Sequence, residues 1–111
     1  MSTQLWLRRN KPNPQARLRL YCFHFAGGSA SAYRTWPALF APIHPEIEVS
    51  AVQLPGRENR LKEQPFTQVA PLVDTLVSVF RPELDRPFAF FGHSMGAIVA
   101  YELAQALSGI G

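Results

Sequence analysis

The run Phe88-Ala89-Phe90-Phe91 passes without a spacer into Gly92-His93-Ser94-Met95-Gly96, and helix-forming residues follow as far as Leu107. An apolar strand, a G-x-S-x-G turn and a helix in immediate succession leave the chain few ways to fold. The turn has to be sharp, and the serine at its tip has to take a strained backbone conformation. Gly92 and Gly96 remove the side chains that would crowd it. The helix that starts below the serine turns its backbone N–H groups toward any negative charge developing there. Ser94 is therefore the candidate nucleophile, and the N–H of Met95, the next residue, is a candidate oxyanion donor. A serine N-cap between two packing glycines is the plain structural alternative.

The rest of the chain supplies the sheet that such a turn needs. Residues 18–25 (Leu-Arg-Leu-Tyr-Cys-Phe-His-Phe) and 87–92 are apolar, aromatic-rich runs of strand length, and 47–54 is a second strand candidate. Ala26-Gly27-Gly28-Ser29 follows the first run and reads as a tight loop able to turn its amides inward. Pro55-Gly56 closes the second run, and Gly56 to Glu63 reads as a charged, exposed loop. Between Pro65 and Phe80, apolar residues at Val69, Leu72, Val73, Leu76, Val77 and Phe80 mark one face of a helix. A shorter helix is expected over residues 32–41, with Trp36, Leu39 and Phe40 as its apolar face. Another is expected over 94–107. Strands alternating with helices indicate an α/β fold with a parallel sheet and right-handed crossovers. The informative loops then share the carboxyl end of the strands, where such sheets place their chemistry.

Composition narrows the function classes. With 47% hydrophobic and 17% charged residues, the 111-residue chain has the balance of one globular domain. Its net charge of +3 is concentrated early, in Arg8, Arg9, Lys11, Arg17 and Arg19. We read residues 1–16 as an extended entry arm, whose basic charge suits either an acidic partner or, at least as well, plain solvation. The basic residues are not interleaved with aromatics in a stripe, which disfavours nucleic acid as a partner. Cys22 is the single cysteine and sits in an apolar run, so it reads as a buried thiol in a reducing, cytoplasmic setting. No apolar stretch is long enough for a bilayer, and residues 1–16 lack the apolar segment of a signal peptide. Neither metal-ligand spacing nor a cofactor-binding glycine motif occurs, so no metal and no cofactor are expected. His24 reads as a core or loop histidine, His44 as part of a surface turn, and Asp74 and Asp85 as helix-face and turn residues.

Three segments together resemble one family. They are Leu18 to Ala30, Val52 to Arg60 (Val-Gln-Leu-Pro-Gly-Arg-Glu-Asn-Arg) and Pro87 to Ala97 (Pro-Phe-Ala-Phe-Phe-Gly-His-Ser-Met-Gly-Ala). In wording and spacing they are similar to the type II thioesterases that serve nonribosomal peptide and polyketide synthases. Trp6 and Pro12-Asn13-Pro14 fit as well. The resemblance implies the amino-terminal part of an α/β-hydrolase domain, with the first long strand in the middle of the three. It implies hydrolysis of acyl or aminoacyl thioesters carried on the phosphopantetheine arm of a carrier protein, in an editing role. It also implies that Ser94 is the nucleophile and that the N–H groups of Ala26 and Met95 form the oxyanion hole. His24 stands where the family often has proline.

Only 17 residues follow Ser94 (111 − 94). In α/β-hydrolases the acid and the histidine of the triad come later in the chain than the serine. The 111 residues therefore read as the front part of a single domain that lacks both, and as inactive alone. Two other readings stay open: a non-catalytic fragment that docks a carrier protein, and a fragment of a general esterase.

Overall fold

In a computed structural model, residues 6–9, 12–24, 28–56, 60 and 68–108 are described. Four strands form one sheet: β1 (Leu7–Arg8), β2 (Leu18–Phe23), β3 (Ile47–Val52) and β4 (Phe88–Gly92). Their order is β1-β3-β2-β4. β2 pairs in parallel with β3 on one side and with β4 on the other, so it is the middle strand, as expected. One feature was not foreseen. Within the stretch read as an extended arm, β1 pairs antiparallel with β3, Leu7 opposite Val52.

Among the described residues three helices cover the sheet: α1 (Trp36–Phe40), α2 (Val69–Phe80) and α3 (Met95–Ser108). Single turns of 3₁₀ helix precede α1, at Ala30–Tyr33, and follow α2, at Arg81–Glu83. Strand alternation sorts the side chains of the sheet between its two faces. Tyr21, Phe23 and Val52 join Leu72, Leu76, Phe80, Val99 and Leu103 beneath α2 and α3. Cys22, Val49 and Ala51 join Ala30, Tyr33, Trp36 and Phe40 beneath α1. From β2 the chain crosses to β3 over one face, then crosses back past β2 to β4 over the other. Two right-handed crossovers in opposite directions must place their helices on opposite faces.

The short helix departs from expectation. Its apolar face is Tyr33, Trp36, Pro37 and Phe40, whereas Leu39 is 62% exposed. Pro37 near the helix start fixes where the first turn can form. The segment breaks into a 3₁₀ turn and a five-residue helix, and this rotates Leu39 out of the line of the other four. On the opposite face the helix at Val69–Phe80 keeps its expected stripe. Residues 65–67, read as its first turn, lie outside the described residues.

Aromatic rings fill the larger core. Tyr21 meets Phe80 edge-on at 4.8 Å between centroids, and Phe23 meets Phe90 at 5.2 Å. Such pairs add about 0.5–1.5 kcal/mol each beyond the area they bury.

At the amino-terminal end of the strands the basic arm is anchored, which corrects the solvated reading. The buried Glu48 carboxylate lies 3.4 Å from Arg9 Nε and 3.3 Å from Arg19 Nε, and it accepts the N–H of Asn13 at 2.6 Å. Glu83 accepts a hydrogen bond from Tyr21 Oη at 2.7 Å and pairs with both arginines. Arg19 also reaches Asp85 at 2.9 Å. Two guanidinium groups thus offset two carboxylates that could not otherwise be buried.

Three buried acids stay protonated in this fold. Burial pushes the Cys22 thiol up to about 12. Burial raises Tyr21, helped by its hydrogen bond to Glu83, and burial raises Tyr33, helped by its proximity to Cys22. All three hold their protons longer folded than unfolded, so their contribution is complete below the ordinary thiol value of 9.0 and is lost as pH climbs toward 12. The urea midpoint is expected to stay level from pH 7 to about 8.5 and to fall above that. A midpoint that held or rose to pH 11 would contradict the buried placement of these groups.

Candidate active site

β2 ends level with both neighbours, Phe23 lying opposite Val52 on one side and Gly92 on the other. The loops after β2, β3 and β4 therefore leave from one edge of the sheet. Between β2 and β4 the chain has reversed its direction of travel across the sheet, and a crevice opens at such a switch point. Ser94 stands there, exposed, between the end of β4 and the first turn of α3.

Its backbone has φ 59°, and among the described residues it is the one non-glycine with positive φ. For an L-residue this conformation costs about 1–2 kcal/mol. Close packing enforces it. A Cβ on Gly96 would lie 2.1 Å from the Phe23 carbonyl oxygen and 2.6 Å from that of His24. A Cβ on Gly92 would lie 2.4 Å from the Gly96 carbonyl oxygen. Hydrogen bonds close the turn. Gly96 N–H donates to the His93 carbonyl and Ala97 N–H to that of Ser94, each at 3.0 Å, while His93 N–H donates to Phe23 at 3.3 Å. The N–H of Met95 takes no part in these three bonds and sits beside Ser94 at the positive end of the helix.

The opposing loop is held from two directions. Tyr33 Oη donates to the Phe23 carbonyl at 2.8 Å. The buried Gln53 side chain accepts the N–H of Ala30 at 2.7 Å through Oε1. Gln53 is itself fixed, because its N–H donates to the Trp6 carbonyl at 2.8 Å and its carbonyl accepts from Arg60 Nη1 at 3.0 Å. The Arg60 guanidinium lies 4.1 Å from the centre of the Trp6 ring, a cation–π contact sheltered from water.

The expectation of an exposed charged loop from Gly56 to Glu63 therefore fails at Arg60, which is buried. Hydropathy counted its charge and could not see the indole that receives it. Sequence reasoning also missed Gln53 and Tyr33 as supports. The usable signal for Gln53 was a lone amide set between apolar Val52 and Leu54 at the end of a strand. Ala26, the other donor suggested by resemblance, lies outside the described residues, as do Phe25 and Gly27.

His24 and His44 stand where their sequence settings place them. His24 is buried at the end of β2. His93 is exposed next to Ser94. His44 is exposed in a turn at the other end of the strands, its Nδ1 3.8 Å from Glu46. Among the described residues no group of three or more His, Cys, Asp or Glu side chains is arranged to hold a metal ion. No described helix is long and apolar enough to cross a membrane.

A mainly parallel sheet covered on both faces, with a strained serine on the strand-to-helix turn at its switch point, defines a protein of the α/β-hydrolase type. The thioesterase domain model matches residues 18–111. The gramicidin S biosynthesis protein GrsT of Aneurinibacillus migulanus is 44% identical over 92% of this chain and 39% of its own length. A second relative, linear gramicidin dehydrogenase LgrE of Brevibacillus parabrevis, is 45% identical over 96% of this chain and 40% of its own. The solved structure of the type II thioesterase BorB, from the borrelidin biosynthetic cluster, superposes with a TM-score of 0.87 at 38% identity. It covers 99% of this chain and 44% of that one. The chain belongs to the thioesterase domain family, and the expected likeness to type II thioesterases is borne out. It spans about two-fifths of the length of the curated relatives it matches.

Two substitutions test the geometry of the turn. Gly96→Ala is expected to destabilise the fold by about 3 kcal/mol or more, because the methyl group meets backbone rather than a yielding side chain. Ser94→Gly is expected to stabilise it by about 1 kcal/mol through relief of the positive φ. Urea unfolding measures both. A neutral Gly96→Ala or a destabilising Ser94→Gly would contradict the strained turn.

Proposed function

We propose that this chain is the serine-bearing part of a thioesterase. The complete enzyme releases acyl or aminoacyl groups from the phosphopantetheine arm of carrier proteins in nonribosomal peptide or polyketide assembly, in an editing role. The observation that carries this reading is Ser94 with φ 59°, at the tip of the turn, in a chain of the thioesterase family. The Ser94 hydroxyl attacks the thioester carbonyl and forms an acyl-serine. The C–S bond breaks, and the carrier's thiol leaves with a proton. Water then cleaves the acyl-serine and restores the hydroxyl. The oxyanion formed in each half is held by the N–H groups of Met95 and Ala26. Neither half needs a metal or an organic cofactor, and the carrier protein places the reaction in the cytoplasm.

Both halves need a base to take and return the serine proton. His93 is next to Ser94 in the chain and cannot readily turn back upon it. His44 lies at the far end of the strands. A histidine and the acid that orients it are, in this reading, contributed by thioesterase-domain sequence beyond these residues, in the order serine, acid, histidine. One relative is named as a dehydrogenase, but the glycine-flanked turn here presents a hydroxyl and has no dinucleotide-binding pattern. A general esterase would share the serine turn but not the three family segments.

The test is a fusion of residues 1–108 to the remaining carboxyl-terminal portion of GrsT, assayed on acylated carrier protein. The fusion is expected to hydrolyse the thioester. Ser94→Ala is expected to lower the rate by about 10⁴-fold or more with circular dichroism unchanged. The 111-residue chain alone is expected to show no turnover. Undiminished hydrolysis by the Ser94→Ala fusion would point to another nucleophile. Serine-dependent turnover by the chain alone would place a base within it, with His24 the first suspect.

A further inference from the structure

Ala30 is where the loop after β2 rejoins regular structure. It opens the 3₁₀ turn Ala30–Tyr33, whose N-cap residue, Ser29, makes no side-chain capping bond. The first N–H groups of a helical turn have no partner inside it. Here the acceptor comes from another strand's end. Gln53 follows β3, and its Oε1 takes the Ala30 N–H at 2.7 Å. Gln53 has 0% of its surface exposed, a setting in which an amide is costly unless it is bonded. Its backbone is gripped on both sides, by the Trp6 carbonyl and by Arg60 Nη1. The Arg60 guanidinium lies in turn on the Trp6 ring. Trp6 therefore holds Gln53 twice, directly through its carbonyl and indirectly through Arg60.

The near end of the same loop is fixed separately. The Phe23 carbonyl takes one bond from Tyr33 Oη and one from the N–H of His93, the neighbour of Ser94. Between the anchors at Phe23 and Ala30 lies Ala26, the second oxyanion donor of the proposed mechanism. A catalytic donor has to be held within about 0.5 Å of its productive place. One anchored end leaves a loop free to swing, and the second end is the one that Gln53 supplies. The thioesterase domain model starts at residue 18, so Trp6 lies outside the segment that defines the family. The arm that carries Trp6 is docked by the Leu7–Arg8 pairing with β3 and by the ion pairs of Arg9 with Glu48 and Glu83. We infer that Gln53 and Trp6 are positioning residues for acyl transfer at Ser94. The Trp6 indole seats Arg60 and Gln53, Gln53 pins the far end of the oxyanion loop, and the amino-terminal arm sets the rate from a distance.

This inference rests on the thioesterase reading for its chemistry, and two measurements keep the two apart. The first is steady-state hydrolysis by the fusion of residues 1–108 to the carboxyl-terminal portion of GrsT. Gln53→Met keeps the length of the side chain and removes the acceptor. It and Trp6→Leu are each expected to lower kcat about tenfold or more with KM within about twofold, because an oxyanion donor acts in the transition state. Combined, they are expected to cost no more than the larger single loss, as two steps of one route. Trp6→Phe keeps a ring face for Arg60 and is expected to hold kcat within about threefold. Leu107→Ala, in the core at the far end of α3, is expected to lower the urea midpoint at least as much and to leave kcat within about twofold. The second measurement is hydrogen exchange in the 111-residue chain. Gln53→Met and Trp6→Leu are expected to speed exchange at the Ala30 N–H about tenfold or more beyond any change at Leu103 in α3. Losses of kcat that follow the urea midpoint in every variant, losses that add, or exchange that rises equally at Ala30 and Leu103 would overturn the inference. A fusion that is inactive with Gln53 and Trp6 in place would overturn the proposed function, and exchange at Ala30 would then decide the inference alone.

Discussion

The contact between Gly96 and the end of β2 is the constraint on which the rest depends. The first turn of α3 lies so close to the Phe23 and His24 carbonyls that no side chain fits between. The helix can reach that position only if β4 turns abruptly into it, and Ser94 is the residue at the bend. The positive φ of Ser94 is thus the cost of seating one helix on one strand end. The seat also explains why the middle strand must be β2. With any other neighbour for β4, the loop after β2 would be out of reach of the turn.

A strained residue persists only where its surroundings over-determine it. Here the determination comes from both faces. Tyr21, Phe23, Phe80 and Phe90 interlock beneath α2 and α3 and fix the separation of β2 and β4. Above the sheet, Tyr33 packs edge-on with Trp36 and donates its hydroxyl to the Phe23 carbonyl, the same oxygen that His93 N–H uses. One carbonyl at the end of β2 thus ties the serine turn to the opposing loop. A second tie runs from Trp6 through Arg60 and Gln53 to Ala30. The amino-terminal arm, remote in sequence from Ser94, contributes to the crevice by this route.

Local patterning was enough to read the three parallel strands, the two longer helices and the serine turn, because each is written in consecutive residues with a clear period. The position of β2 in the sheet came from family likeness, since periodicity carries no information about strand order. What could not be read depends on partners distant in the chain. Leu7–Arg8 has no strand-like pattern of its own and becomes a strand because β3 offers an edge. Arg9 and Arg19 looked like solvated charge because Glu48 and Glu83, which hold them, are tens of residues away. Arg60 looked like part of an exposed loop because the face of Trp6 is visible only in the fold. Buried charge is the recurrent blind spot: hydropathy assigns each residue to water or to core, and a paired guanidinium belongs to neither.

The distribution of order in the chain follows from how the sheet is covered. β3 is flanked by β1 and β2 and is buried along nearly its whole length, whereas β4 has the crevice at its end, an edge that no strand among the described residues pairs with, and side chains that are only partly covered. The strand that carries Ser94 is therefore the one least supported by the residues around it. Most of the free energy that holds the turn has to come from the β2 side, through Gly96, His93 and the aromatic cluster. Covering the other side of β4 would bury Phe88, Phe90 and Tyr101, at about 1.5–3 kcal/mol for each large side chain fully buried. That exceeds the strain at Ser94. In this structure the geometry of the serine turn is already set by one edge of β4, while the larger part of the stabilisation available to it lies along the other.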